Sequence, residues 1–144
     1  MFTVKISSNL FDLGAEHQRL ATLGPEVGAI VSFSGQVRET PLELEHYPAM
    51  AALQLEALLV EARARWPLIG ATILHRYGRL EVGEPIVLVL TAASHRREAF
   101  EAAEFLMDWL KTKAPFWKKA PEGWVEARSS DEEAAARWQS ERRP

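Results

Sequence analysis

The segment Leu110–Pro121, with the sequence LKTKAPFWKKAP, contains four lysines and no acidic residue. The chain as a whole has 17 Lys and Arg against 20 Asp and Glu, so these cations gather in an otherwise acidic protein. Clustered ammonium groups disfavour one another's charged form, and this lowers the pKa of a lysine. A lysine tuned in this way can act as an acid, a base or a nucleophile near neutral pH. The segment is therefore either a solvated loop or a place that binds an anion.

Other cations lie where the expected local structure favours function. Arg38 follows a predicted strand, and strand ends lead into loops that often carry binding groups. His95 and Arg96 lie in the first turn of a predicted helix, whose free N–H groups and partial positive charge suit a phosphate. Lys111 lies in the last turn of the same helix, and Arg128 closes a predicted hairpin.

Each of these residues also has a simpler interpretation. A lysine in the last turn of a helix, such as Lys111, is favoured by the helix dipole alone. Lys118 and Lys119 are neighbours in a predicted strand and belong to opposite faces, but alternation does not say which one points inward. Arg38 and His95 can equally be ordinary surface residues. The nearby aromatic residues fit hairpin packing better than a substrate platform.

Composition limits the classes of function. The 144 residues suit one domain over 1–144, with a C-terminal helix and tail over 130–144. The formal charge of −3 argues against a general nucleic-acid binder. No apolar run approaches the roughly 20 residues that a membrane span needs, and no secretory leader is visible, so we expect no membrane contact and a cytoplasmic location.

Cysteine is absent, and the four histidines form no metal-binding motif. This composition excludes disulfides, thiolate metal sites, iron–sulfur clusters and a cysteine nucleophile. We therefore expect no metal and no resident cofactor. An enzyme with this sequence must use lysine, arginine, histidine or carboxylate groups, or a reactive group that a partner brings.

Hydrophobic periodicity predicts strands and helices without strict alternation of the two. The predicted strands are Phe2–Ser7, Gly28–Val37, Leu42–Tyr47, 71–77 and 85–93, with a turn between the last two. The predicted helices are Ala15–Leu23, Pro48–Arg65, His95–Lys113 with Ser94 as its N-cap, and a short one from Asp131 to Trp138. A hairpin with its turn at Pro121–Gly123 precedes the last helix. This order predicts an α+β fold with mainly antiparallel sheet, two long helices and a C-terminal hairpin.

Several segments occur together in a fixed order: GQVR, LELEHYP, the spacing of His75–Glu84, SHR, LKTKAPFWK and WVEAR. In this combination the chain closely resembles the large, catalytic subunit of the molybdopterin synthase family, from about Gly28 to Trp138. The resemblance implies an α/β-hammerhead-like arrangement. Members of that family convert a cyclic pyranopterin monophosphate into the dithiolene molybdopterin.

The resemblance also implies partners and site residues. Sulfur arrives as a thiocarboxylate on the C-terminal Gly-Gly tail of a small ubiquitin-like subunit, and two small subunits flank a homodimer of large ones in a heterotetramer. The absence of cysteine fits, because the partner carries the sulfur. The essential lysines of the family correspond to Lys111 and Lys118. Its pocket for the pterin phosphate corresponds to a set of four residues, in which the His-Arg pair comes from the neighbouring large subunit: Arg38, His95, Arg96 and Arg128.

One segment departs from the family pattern. The family usually carries a longer, glycine-containing loop after the position of Arg38, whereas here only Glu39, Thr40 and Pro41 precede the next strand. Two other functions remain open from the sequence. A non-catalytic module could bind a ubiquitin-like tail at the lysines, although it would not need Arg38 or the His-Arg pair. A binder of single-stranded nucleic acid could use tryptophans and lysines, although the acidic balance counts against it.

Overall fold

The computed structural model of the protein describes residues 1–46 and 48–113, the strands at 116–120 and 123–125, and Trp138. The described elements are, in chain order, β1 (Phe2–Ser7), α1 (Leu13–Ala21), β2 (Ala29–Gln36), β3 (Leu42–His46), α2 (Pro48–Arg65), β4 (Leu68–Arg76), β5 (Gly78–Leu80), β6 (Pro85–Ala93), α3 (Arg96–Lys113), β7 (Phe116–Ala120) and β8 (Gly123–Val125).

The strands form two four-stranded sheets. The first has the order β1-β4-β6-β2, in which β1 pairs parallel with β4 and the other pairs are antiparallel. The second has the order β5-β3-β7-β8 and is antiparallel throughout. The predicted α+β class with mainly antiparallel sheet is therefore confirmed.

The first sheet is covered by helices on both faces. Side chains of β4 and β6 alternate between two clusters, as the two-residue repeat of a strand requires. Ile73 and Val89 pack with α2 and α3 in the larger cluster, whereas Leu74 and Leu88 pack with α1 in the smaller one. This explains why both strands are apolar along their whole length, since strands buried on both faces read as continuous hydrophobic runs.

The predicted inner face of α2 is buried. Its members recur at helical spacing and are Leu55, Leu58, Leu59 and Ala62, and Trp66 continues the same face directly after the helix. Trp66 stacks edge-on against Phe105 of α3 and against Trp138, with ring centroids 5.4 and 5.8 Å apart. The indole N–H of Trp138 donates to the carboxylate of Asp108, and its carbonyl accepts from Arg65. Trp138 is therefore held against the helix pair by its ring contacts and by these two hydrogen bonds.

Several predicted boundaries differ from the structure, including both ends of α1, β2 and β4, and one strand was not predicted. Helix α1 begins at Leu13 and not at Ala15, because the Asp12 side chain accepts from the Ala15 amide and caps the helix earlier. Helix α3 begins at Arg96, so His95 and not Ser94 stands at the cap position. The segment between β4 and β6 contains a short strand, β5, where a turn was predicted.

Other predicted elements agree with the structure, and one predicted helix lies almost wholly outside the described residues. Strand β1, helix α2 and strand β6 have the predicted ends, and β7 pairs with β8 as a hairpin. The predicted helix from Asp131 lies outside the described residues, apart from Trp138. Within the described part of the chain, no helix is long and apolar enough to cross a membrane.

Candidate active site

Arg38 follows β2 at a point where the backbone is held by a neighbouring turn. The Val37 amide donates to the Glu84 carbonyl over 2.9 Å, and the Val37 carbonyl accepts from the Gly83 amide over 2.8 Å. The Val37 side chain is buried with Leu44 of β3. Arg38 itself is exposed, so its guanidinium is accessible to a ligand from solvent.

Lys118 and Lys119 occupy different faces of the second sheet. Lys118 stands opposite Leu44 in the register of β3 and β7, and Lys119 stands opposite Glu43. Leu44 is buried, whereas Glu43 is exposed. Residues directly opposite each other in an antiparallel pair share a face of the sheet. The Lys118 position therefore belongs to the face on which Leu44 packs against Val37, next to Arg38.

Lys111 is exposed in the last turn of α3. The Thr91 hydroxyl donates to the Ala99 carbonyl over 2.6 Å, so the first turns of α3 pass over the end of β6. From there α3 runs back over the first sheet, and Leu110 in its last turns belongs to the same buried cluster as Val87 near the beginning of β6. Lys111 consequently lies at the end of the sheet where Pro85 pairs with Gln36 and where Arg38 follows.

His95 and Arg96 are exposed at the opposite end of the sheet, where β6 leads into α3. Gly28 at the start of β2 makes this geometry possible. Its amide donates to the Ala93 carbonyl over 3.0 Å, and a Cβ placed on it would lie only 2.0 Å from the Ser94 carbonyl oxygen. The backbone of Gly28 therefore touches the turn from which His95 and Arg96 project.

The two groups of cations are far apart within one chain. At about 1.5 Å of rise per residue, α3 extends about 22 Å from Arg96 to Lys111. At about 3.4 Å per residue, β2 extends about 24 Å from Ala29 to Gln36. Helix α3 is regular and its inner face is packed in the core, so it cannot shorten this distance. The structure brings Arg38, Lys111 and the Lys118 position to one end of the molecule, and His95 with Arg96 to the other.

One predicted site residue is not placed by the structure. Arg128 lies outside the described residues, so its membership of the site stays a prediction. The side chain of Lys118 is likewise known only through the register of its strand.

The buried Arg76 supports the backbone near Arg38. The sequence did not indicate Arg76 as a functional residue. Arg76 donates from its guanidinium to the carbonyls of Pro85, over 2.9 Å, and Ser8, over 3.2 Å. It also lies 3.7 Å from the carboxylate of Glu84. Arg76 thus holds Pro85 and Glu84, and Glu84 is one of the two residues to which the Val37 backbone bonds. Arg76 is buried because it ends β4, a strand that is covered on both faces. No single sequence motif predicts this burial.

In the turn at residues 79–84, Arg79 and Glu81 form an exposed ion pair. The Glu81 carboxylate accepts a hydrogen bond from Arg79 over 2.8 Å and raises the pKa of Arg79. A cavity of about 220 Å³ lies where the ends of β1 and β4 meet α1 and the segment before it, and its lining includes Lys5, Glu16 and His75 but none of the predicted site residues. In the described part of the chain, no group of three or more His, Asp or Glu is arranged to hold a metal.

Comparison with known proteins gives a consistent result. The family described as MoaE protein matches residues 6–113. The molybdopterin synthase catalytic subunit of Mesorhizobium japonicum is 50% identical over 149 aligned residues, which cover 96% of this chain and 94% of that relative.

Two solved structures share the fold. The molybdopterin biosynthesis MoaE protein from Burkholderia ambifaria MC40-6 aligns with a TM-score of 0.86 at 50% identity, covering 96% of this chain and 99% of that one. Molybdopterin synthase from Staphylococcus aureus aligns with a TM-score of 0.73 at 32% identity, covering 83% of this chain and 90% of that one.

Proposed function

Because the chain belongs to the MoaE protein family, we propose that it is the catalytic subunit of molybdopterin synthase, a sulfurtransferase of molybdenum cofactor biosynthesis. Its substrates are a cyclic pyranopterin monophosphate and the thiocarboxylated C-terminus of a small ubiquitin-like subunit. Each transfer forms a carbon–sulfur bond on the pterin side chain in place of a carbon–oxygen bond of the substrate. Water then hydrolyses the thioester between tail and pterin: the bond between sulfur and the acyl carbon breaks, sulfur stays on the pterin, and the water oxygen remains on the tail, which is left as a carboxylate. Two such transfers yield the dithiolene.

The observation that carries this proposal is the group of cationic positions at one end of the molecule. A thiocarboxylate and a phosphate are both anions, and they repel each other unless positive groups lie between them. We assign the catalytic roles to Lys111 and Lys118, and phosphate binding to Arg38 together with Arg128. The exposure of Arg38 and Lys111 and the register of Lys118 support this assignment.

His95 and Arg96 enter the same pocket only if a second chain supplies them. The length of α3 keeps them about 22 Å from Lys111 of their own chain. A two-fold axis that runs two copies of α3 past each other in opposite directions would place the His-Arg pair of one chain beside Lys111 and Arg38 of the other. A homodimer within a heterotetramer therefore gives two complete pockets, each built from two large subunits.

The proposal is tested by reconstitution. The chain should co-purify with a small ubiquitin-like subunit that ends in Gly-Gly. With the thiocarboxylated form of that subunit and the pterin monophosphate, it should form a dithiolene that a molybdoenzyme can use. Tight binding of the tail without dithiolene formation would instead indicate a non-catalytic binding module. We also propose that the chain acts as one domain in the cytoplasm.

A further inference from the structure

The connection between β2 and β3 is anchored on both sides of Arg38. Before it, both backbone polar groups of Val37 are bonded to the turn at Gly83 and Glu84. After it, Leu42 enters the second sheet opposite Leu80. Pro41 fixes its own φ and restricts Thr40 to extended conformations. The backbone can therefore adjust only at Arg38, Glu39 and Thr40.

The adjustment takes place at Glu39, which has a φ of 70°. It is the only residue other than glycine with a positive φ in the described part of the chain. The Thr40 amide donates to the Arg38 carbonyl over 2.8 Å, so residues 38–40 form a γ-turn with positive φ at its centre. This turn is rare and strained for a residue with a Cβ. Such strain persists where the surrounding structure over-determines the backbone, and it collects at functional sites.

We propose that this strained turn positions Arg38 for the phosphate group of the substrate, with the Glu39 backbone as the positioning element. The inference rests on the function proposed above. An exposed arginine on a free loop loses conformational freedom when it binds an anion, and this loss weakens binding. Here the backbone of Arg38 is already fixed by Val37, the γ-turn and Pro41. The short connection between β2 and β3 therefore holds Arg38 on a rigid backbone.

The buried Arg76 supports the γ-turn indirectly, through the turn at residues 81–84 to which Val37 is bonded. Its guanidinium bonds to the Pro85 carbonyl and lies beside the Glu84 carboxylate. The Glu84 carboxylate in turn accepts from the Glu81 amide over 3.0 Å and shapes the turn to which Val37 is bonded. The anchor on the β2 side of Arg38 is therefore itself rigid, which a strained conformation requires.

Two substitutions at the same position separate backbone strain from side-chain charge. Both Glu39→Ala and Glu39→Gly remove the carboxylate, but only glycine adopts or leaves a positive φ freely. The measurements are the KM for the pterin monophosphate and kcat with saturating thiocarboxylated small subunit, and the urea midpoint of unfolding. Glu26→Gly, in an exposed loop before β2, controls for the general effect of an added glycine.

We expect Glu39→Gly to have a KM roughly 3- to 10-fold higher than Glu39→Ala, the factor that ordering one long side chain is worth. Its kcat should stay within about twofold of the alanine variant, and its unfolding midpoint should be equal or higher because strain is relieved. Equal KM values for the two variants, or a lower midpoint for the glycine variant, would overturn the inference. A wild-type protein that forms no dithiolene would overturn the proposed function first, and the inference with it.

Discussion

Lys118 and Lys119 are adjacent residues of one strand with different neighbours across the sheet. The register places Lys118 opposite the buried Leu44 and Lys119 opposite the exposed Glu43. The same substitution can therefore be compared at two neighbouring lysines that lie on opposite faces of the sheet.

We predict that Lys118→Ala nearly abolishes dithiolene formation and leaves the fold intact. Lys119→Ala should reduce the rate by less than about threefold, because the Lys119 position belongs to the other face of the sheet, the face of the exposed Glu43. The rates are compared in a single-turnover assay, with circular dichroism as the check on folding. Equal activity of the two variants would remove the assignment of Lys118.

Residue types were the most readable part of the site. The cluster of lysines, the position of Arg38 at a strand end and the His-Arg pair before a helix all follow from sequence. The buried role of Arg76 did not, because it depends on the carbonyls of Ser8, just after β1, and of Pro85 in β6, which are distant in sequence. The sequence did not predict the γ-turn at Glu39 either, since glutamate has no preference for a positive φ.

At the scale of elements, α3 and β2 set the distance between the two ends of the site. Their junction is the close contact between Gly28 and the Ser94 carbonyl. A Cβ at Gly28 would lie 2.0 Å from that oxygen, whereas a Cβ at Gly14 in α1 would meet its nearest neighbour at an ordinary 3.4 Å. The two glycines therefore have opposite consequences when replaced by alanine.

We predict that Gly28→Ala destabilises the protein by about 1–3 kcal/mol or more, because backbone must move to admit the methyl group. Gly14→Ala should instead stabilise it by roughly 0.5–1 kcal/mol, since alanine is the better helix former. Both changes are measured by urea unfolding. A neutral Gly28→Ala variant would mean that the turn before α3 is not held by this contact.

Element boundaries show what sequence can and cannot supply. Helix α2 was predicted with its correct ends because Pro48 opens it and its apolar residues recur at helical spacing. Helix α1 was placed two residues late because Gly14 discourages a helix, and the Asp12 cap outweighs it. Strand β5 was missed because Gly78–Leu80 is short and gains its structure from pairing with β3. The parallel pairing of β1 with β4 is a long-range contact that no local pattern encodes.

At the scale of the whole molecule, the central claim is that each active site is built from two chains. Helix length alone separates Arg96 from Lys111 by about 22 Å, so a pocket that needs both cannot form within one chain. Hydrogen bonds to charged groups contribute roughly 1.5–3 kcal/mol each, so loss of Arg96 should weaken substrate binding by about one to two powers of ten. At low substrate concentration, both Arg96→Ala and Lys118→Ala homodimers should therefore be nearly inactive.

The most direct test mixes these two inactive variants and lets their subunits exchange. In a shared site, each mixed dimer keeps one pocket with both residues intact, so a random mixture should recover about a quarter of the wild-type rate. The matched control mixes the double variant, Arg96→Ala with Lys118→Ala, with wild type, and its mixed dimers should be inactive. If each pocket belonged to a single chain, the outcomes would reverse: the two single variants would recover nothing, and the mixed dimers of the control would keep half of the activity. Mass spectrometry of the intact dimers establishes that exchange has occurred, and recovery of activity by the two single variants is the result that we predict.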